Sequence, residues 1–171
     1  FRGDIYVKEA VIPEGASVIP KSQFFGCRSL EKLHLPESVS VIGDYAFADC
    51  HVLKVQESIE KLSLKSVGIS AFENCYALEF VSLPDSLTVI GGAAFAECVS
   101  VNKLIFSDTS LLKKIGDHAF RGCKNLKEVY LPDSVEYVGI SAFRDCVSLE
   151  QISVSEKIKN QPGIAELEKN C

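Results

Sequence analysis

CYALEFVSLPDSLTVIGGAAFAEC, residues 75 to 98, is one copy of a unit that recurs along most of the chain. Its end residues, Cys75 and Cys98, belong to a row of seven cysteines that are separated by 23, 25, 23, 25, 23 and 25 residues. A residue type that returns at a fixed period of about 20 to 30 residues indicates a solenoid, in which each coil buries its apolar face against the next. The alternating spacing indicates that every second coil carries an insertion.

Other residues recur in step with the cysteines. A phenylalanine stands three residues before each of the first six cysteines, and both rows are predicted to form the repeat core: Phe24, Phe47, Phe72, Phe95, Phe120 and Phe143, with Cys27, Cys50, Cys75, Cys98, Cys123 and Cys146. The unit reads C-x-x-L-x-x-h-x-L-P-x-S-h-x-x-h-G-x-x-A-F-x-x, where h is an apolar residue, and it closes on the next cysteine.

Each part of the unit predicts a local structure. The run from Leu78 to Leu83 alternates at its end as a half-buried strand does, and one strand per coil would pair in parallel with the next. Pro84 cannot donate to a sheet and therefore ends the strand. Gly91 permits either a positive backbone φ or a close backbone approach. The Ala94-Phe95-x-x-Cys98 step predicts a single helical turn with the phenylalanine and the cysteine on one face.

The predicted fold class is an α/β repeat solenoid with a parallel β-sheet on one face and short helical turns or short strands on the other. We predict one domain, 1–171, of about seven coils, with an eroded first coil at about 5–27, full coils at 28–146 and a degenerate coil or cap at 147–171. In the coil 51–66, the segment from Val55 to Ile59 fits the repeat poorly, and we expect a short or irregular strand there. The segment from Lys157 to Cys171 predicts a cap or a short helix, with Ile164 and Leu167 three residues apart.

The recurring L-P-x-S-h-x-x-I-G-x-x-A-F-x-x-C motif resembles the BspA-like leucine-rich repeats, a subclass of bacterial and protozoan surface proteins. The resemblance covers about Ile5 to Val154. It implies a right-handed leucine-rich-repeat solenoid in a secreted or surface-anchored protein. It also implies adhesion to host or extracellular-matrix proteins, or to other cells. The shared motif is structural, so it implies no catalytic residue and no cofactor.

Charge and composition argue against several classes of partner. The formal net charge is −5 and the isoelectric point is about 5.3, with acidic and basic residues interspersed, which argues against nucleic acid or an anionic membrane. No apolar run approaches the roughly 18 residues of a membrane span, and no signal peptide is visible. The chain begins at Phe1 and contains no methionine, so we expect a processed or excised piece of a longer product.

Cysteine and histidine are the residue types most often used for chemistry. Seven cysteines without a C-x-x-C pair permit a disulfide framework, a metal site or a redox thiol, but the odd number and the parallel coils favour a ladder of buried thiols. Cys171 is the thiol that we expect to be most exposed. The spacing of His34, His51 and His118 suggests no zinc site. No Ser-His-Asp or Cys-His arrangement is visible, and we expect no enzyme activity.

Arg2-Gly3-Asp4 spells an integrin-recognition tripeptide. A working site of this kind needs a constrained and exposed loop. The tripeptide precedes the first recognisable coil, so we interpret it as a chance match that lies outside the repeat.

The best candidate for a binding site is the outward face of the predicted sheet. If the leucines point inward, the residues five and seven positions after each cysteine line that face. Phe80, Ile105 and Tyr130 then come from three successive coils and form an apolar patch about 10 Å long, with Lys103 and Glu128 beside them. Exposed apolar residues flanked by charges are typical of protein-binding anchors. The alternatives are packing against a further segment, or simple preference for the strand conformation.

These observations predict a non-enzymatic, adhesin-like protein-binding module that recognises host-matrix or cell-surface proteins through its sheet face. The alternative is a structural spacer or self-association module within a larger envelope protein, stacking end to end. A thiol enzyme or redox protein is a third hypothesis, which reactive native cysteines would support.

Overall fold

The computed structural model of the chain describes residues 1–54 and 59–165. In chain order its strands are β1 (Glu9–Val11), β2 (Val18–Ile19), β3 (Lys32–His34), β4 (Val41–Ile42), β5 (Ser66–Val67), β6 (Phe80–Ser82), β7 (Val89–Ile90), β8 (Lys103–Ile105), β9 (Lys114–Ile115), β10 (Glu128–Tyr130), β11 (Tyr137–Val138) and β12 (Gln151–Ser153). A 3-10 helix spans Ile59–Lys61, and a four-residue helix, α1, spans Pro162–Ala165.

The strands form the two faces of a parallel solenoid. The first face holds the three-residue strands in the orders β1-β3 and β6-β8-β10-β12, and the second face is one six-stranded sheet in the order β2-β4-β5-β7-β9-β11. Residues at equivalent repeat positions are register partners, as Val81 and Leu104 are on the first face and Ile90 and Ile115 on the second. The parallel solenoid predicted from the repeat is confirmed, with about six turns among the described residues instead of the seven coils expected.

The third coil interrupts the first face. The hydrogen bonds of the first face continue into the beginning of this coil, where the Lys54 N–H donates to the Glu31 carbonyl at 3.0 Å. Among the described residues this coil adds no strand to the first face, and the 3-10 helix follows instead. Residues 55–58, where we expected a short or irregular strand, lie outside the described residues.

The segment between Gly and Cys in each coil is not the helical turn expected from the A-F-x-x-C spacing. It is a chain of β-turns, in which Ala46, Ala48 and Cys50 each donate their N–H to the carbonyl three residues earlier. The backbone φ is positive five residues and one residue before each of the first six cysteines, as at Tyr45 and Asp49, which is the conformation of the third residue of a type II turn. Phenylalanine and cysteine still share a side, which is why their spacing alone suggested a helix.

These turns also bond to the next coil. The N–H groups of Tyr45, Phe47 and Asp49 donate to the carbonyls of Ile69, Ala71 and Glu73, each at 2.8 Å. Alternate N–H groups therefore close turns within a coil, and the others join neighbouring coils. The solenoid has a third hydrogen-bonded ladder beside its two sheets, which satisfies buried backbone donors that would otherwise be costly.

The interior is organised around a column of stacked phenyl rings. Successive rings from Phe1 to Phe143 lie with centroids 5.2 to 5.4 Å apart and interplanar angles of 2 to 18°. Near-parallel rings at this separation are offset, the arrangement that aromatic quadrupoles favour. The rings of the six predicted core phenylalanines, Phe24 to Phe143, are all buried.

A ladder of thiols runs beside the rings. The Cys50 Sγ donates to the carbonyl of Phe24 at 3.1 Å, and the cysteines up to Cys146 repeat this bond at 3.1 to 3.3 Å with the phenylalanine of the preceding coil. The six described cysteines are free and buried. Burial raises the pKa of each of these thiols, and raises those of Cys50 and Cys146 to about 12. Cys171 lies outside the described residues.

The recurring glycine allows neighbouring coils to approach closely. Gly43, Gly68, Gly91, Gly116 and Gly139 do not have a positive φ. A Cβ on any of them would come within 2.7 Å of backbone in the preceding coil. Of the two roles that the sequence left open, the close approach is therefore the one that requires glycine.

A side chain ends the second sheet. The Gln161 amide donates through Nε2 to the Glu136 carbonyl at 2.7 Å and accepts through Oε1 from the Val138 N–H at 2.6 Å. These are the bonds that a following parallel strand would make to β11. Ile158 and Ile164 are buried beneath this segment, and α1 begins directly after Gln161. As far as residue 165 this segment thus consists of turns and a short helix, and Leu167 lies outside the described residues.

The adjacent glycines 91 and 92 offer a matched test of the close approach. In Gly91→Ala the new Cβ would lie 2.6 Å from the carbonyl carbon of Gly68, so we expect a loss of about 3 kcal/mol in the free energy of unfolding. In Gly92→Ala the nearest atom is 3.3 Å away and other coils place Asp or Ile at this position, so the loss should stay below about 1 kcal/mol. Urea unfolding measures the stability of both variants. Equal losses in the free energy of unfolding would contradict the close approach as the role of Gly91.

The ring column can be tested by the same substitution at two sites. Phe95→Ala removes a ring that is fully buried between two others, and we expect it to cost about 3–5 kcal/mol in the free energy of unfolding. Phe80→Ala, on the exposed face, should cost less than about 1 kcal/mol. Unfolding followed by circular dichroism would show the difference, and similar midpoints for the two variants would rule out a structural role for the column.

The thiol ladder predicts slow cysteine chemistry. In a Cys171→Ser variant we expect the remaining thiols to resist an aromatic disulfide reagent at pH 8 while the chain is folded, because their raised pKa values leave little thiolate. All of them should react promptly in denaturant. A fast-reacting thiol in the folded variant would contradict the ladder.

Candidate functional site

The outward side chains of the first face line up in rows across the coils. Register pairing places Phe80, Lys103, Glu128 and Gln151 in one row, five positions after their cysteines. It places Ser82 beside Ile105, and Tyr130 beside Ser153, in the row seven positions after the cysteines. Phe80 is therefore next to Lys103, whereas Ile105 and Tyr130 belong to the row seven positions after the cysteines. The three predicted anchors come from three successive coils.

The three predicted anchors are exposed, although they belong to a folded sheet. Phe80 is 38% exposed, Ile105 39% and Tyr130 50%. The residues between the rows, Val81, Leu104 and Val129, are buried. The strand alternation thus presents the anchors to solvent on a backbone that their inward neighbours hold in place.

Tyr130 and Glu128 interact on the same strand. The Tyr130 hydroxyl donates to Glu128 Oε2 at 3.3 Å. Partial removal from water, together with the charge of the Glu128 carboxylate, raises the pKa of Tyr130. The phenol is therefore neutral at physiological pH and acts as a hydrogen-bond donor.

Two shallow grooves border these residues. One groove, of about 590 Å³, lies at the start of the strands and is lined by Asn102, Lys103, Leu104, Asn125, Lys127, Glu128, Tyr130 and Ser148. The other, of about 630 Å³, lies at the strand ends and is lined partly by Ser82, Pro84, Asp85, Ile105 and Ser107. The sequence did not identify three of these lining residues as part of a site, because the strand pattern carries no information about positions two and four after the cysteine. They are Asn102, Asn125 and Lys127.

The insertion after β8 is fixed by a carboxylate of the preceding coil. Asp85 accepts hydrogen bonds from the hydroxyls of Ser107 and Thr109. These bonds lower the pKa of Asp85. The spacing of 25 residues between Cys98 and Cys123 predicts that this coil carries an insertion, but nothing in the repeat pattern singles out Asp85 as its anchor.

The histidines occupy separate positions. His34 Nε2 lies 2.7 Å from Glu9 Oε1 on the first face, and the His51 ring stacks on Tyr76 with centroids 4.7 Å apart. His118 sits in a turn with a φ of 58°. In the described part of the chain, no group of three or more His, Cys, Asp or Glu side chains is placed to hold a metal ion.

The Arg-Gly-Asp tripeptide lies inside the repeat, which corrects the interpretation drawn from the sequence. Phe1 stacks on Phe24, and Gly3 has a φ of 74°, close to the 73° of the equivalent Gly26. Asp4 stands at the position that cysteine occupies in later coils. Its Oδ1 accepts the N–H groups of Tyr6 and Val7 at 2.8 and 3.2 Å, so the carboxylate serves the local turn.

Comparisons with other proteins agree with this architecture. The model of the BspA type leucine rich repeat region matches residues 1–110 and 54–163. A solved leucine-rich repeat protein from Bacteroides ovatus is 32% identical with a TM-score of 0.81, over 92% of this chain and 40% of that chain. The T. pallidum leucine rich repeat protein TpLRR is 27% identical with a TM-score of 0.77, over 99% of this chain and 73% of that chain.

The third similar structure is that of the pneumococcal vaccine antigen PcpA, which is 27% identical with a TM-score of 0.63, over 86% of this chain and 36% of that chain. The chain thus spans less than half of the B. ovatus and PcpA chains. No curated protein matches the sequence. Within residues 1–54 and 59–165, no helix has the length and apolar character needed to cross a bilayer. Because the family match extends over nearly the whole sequence, the chain belongs to the BspA-type leucine-rich-repeat family.

Proposed function

We propose that the chain is a non-enzymatic protein-recognition module that binds its partner through the first face of the solenoid. The observation that carries the proposal is that three large apolar side chains from successive coils, Phe80, Ile105 and Tyr130, are exposed on one sheet. Large apolar side chains at such positions are costly to leave in water, and they are typical of the anchors that dominate protein interfaces. Lys103 and Glu128, in the same row as Phe80, set the specificity.

We further propose a partner among host-matrix or cell-surface proteins, and a surface or secreted location for the protein that carries this module. Leucine-rich-repeat proteins generally bind other proteins, and the BspA type occurs in surface proteins. One similar structure is that of a vaccine antigen, which fits a protein displayed outside the cell.

The test is binding of the purified chain to immobilised matrix and plasma proteins, beside a Phe80→Ala/Ile105→Ala/Tyr130→Ala variant. We expect saturable binding to at least one protein, weakened at least about a hundredfold in the variant, because each interface anchor typically contributes about 2 kcal/mol or more.

The second face supplies a matched control. Ile69, Tyr137 and Ile140 are 49%, 41% and 51% exposed, so an Ile69→Ala/Tyr137→Ala/Ile140→Ala variant removes similar apolar surface elsewhere. It should bind as the unchanged chain does. Equal losses of binding affinity in the two variants would refute the site. If the chain binds none of the proteins and its light scattering depends on concentration, a self-associating spacer is favoured.

A further inference from the structure

The groove beside Tyr130 indicates the chemistry of the partner, and this inference rests on the proposed use of the first face. Of the groove's lining residues, two are basic, Lys103 and Lys127, and one is acidic, Glu128. The remainder are uncharged, and the amides of Asn102 and Asn125 can both donate and accept hydrogen bonds.

The acid in the groove faces the phenol. Glu128 accepts from Tyr130 at 3.3 Å on its own strand. Glu128 and Lys103 are register partners, yet no ion pair joins them. Among the described residues, neither Lys103 nor Lys127 forms an ion pair with any carboxylate.

Acids of the neighbouring coils lie outside the groove. Glu79 and Glu150 occupy the repeat positions equivalent to Asn102 and Lys127, one coil to either side, and neither lines the groove. Lys113 on the second face shows the opposite arrangement, because Glu136 lies 2.8 Å from its ammonium group. The groove thus holds two lysines and one carboxylate, a local net charge of +1 on a chain with a net charge of −5, and neither lysine is held by an ion pair among the described residues.

We propose that this groove binds an acidic, extended segment of a partner protein, with a carboxylate held by Lys103 and Lys127 and an apolar side chain against Tyr130. Charge complementarity selects the acidic group, and the amides of Asn102 and Asn125 suit the backbone of an extended chain. The groove adjoins Ile105 and Phe80, so one segment can reach both the lysines and the apolar anchors.

The proposal can be tested with peptides before any natural partner is identified. The probe is a short peptide rich in Glu that carries one Leu and one Tyr, and its control has Gln in place of every Glu. In an NMR titration of the labelled chain, the acidic peptide should shift amide resonances at 102–104 and 125–130, and the amide control should not. Added salt should weaken the effect, because exposed charges are screened.

Substitutions in the groove should change the affinity in opposite directions. Lys103→Gln/Lys127→Gln should lower the affinity for the acidic peptide at least about fivefold, which is the effect of losing two exposed charge pairs. Glu128→Gln should raise this affinity, since it removes a negative charge that repels the acidic peptide. Lys65→Gln/Lys114→Gln, which removes two exposed lysines at the second sheet, should leave the affinity unchanged. All of these residues are exposed, and unchanged unfolding midpoints would show that the variants fold.

Several outcomes would overturn the proposal. They are equal shifts with both peptides, no shift with either peptide, or weaker binding in Glu128→Gln. A sulfated oligosaccharide that shifts the same amides when the acidic peptide does not would reassign the groove to glycans. If a natural partner is lost in the triple-alanine variant but kept in Lys103→Gln/Lys127→Gln, the proposed function stands and this inference fails.

Discussion

Hydrogen bonding between backbones of neighbouring coils is the constraint on which the rest of this structure depends. Three parallel ladders, two of strands and one of turns, hold equivalent residues at about the 4.8 Å spacing of paired strands. A row of glycines is needed where backbone meets backbone at that spacing, since a Cβ would overlap the preceding coil. The phenyl rings in the interior fit a similar spacing, because they stack nearly parallel and offset, with centroids 5.2 and 5.3 Å apart.

The same constraint divides the residues into fixed and variable rows. Inward rows keep apolar side chains, and the phenylalanine and cysteine rows keep one residue type, whereas outward rows meet solvent and can differ from coil to coil. Phe80, Lys103 and Glu128 share one row and differ completely in chemistry. The repeat thus provides a regular frame, and the surface that we propose for recognition consists of outward positions at which the repeat is not kept.

Sequence periodicity predicted the parts of the structure that depend on coil stacking. The cysteine period led to the solenoid, and the strand alternation separated the inward row of Val81 from the outward row of Phe80. The turn conformation could not be predicted, because residues three apart share a side in a helical turn and in this chain of β-turns alike. The tripeptide at Arg2 was misplaced because Asp4 replaces the marker cysteine. The groove residues Asn102 and Asn125 lie at positions with no recurring pattern, so only the folded chain brings them together.

The reduced thiol ladder constrains the order of folding and oxidation. An unfolded chain with this many cysteines can form many different disulfide pairings in an oxidising compartment. Any one pairing would remove S–H donors from the phenylalanine carbonyls and tie coils together out of register. Winding a coil requires only contacts between neighbours 23 to 25 residues apart, and short loops close in microseconds or less. Disulfides form over seconds to hours, so the coils can enclose their own sulfur atoms before an oxidant reaches them, and folding requires no dedicated pairing of the cysteines.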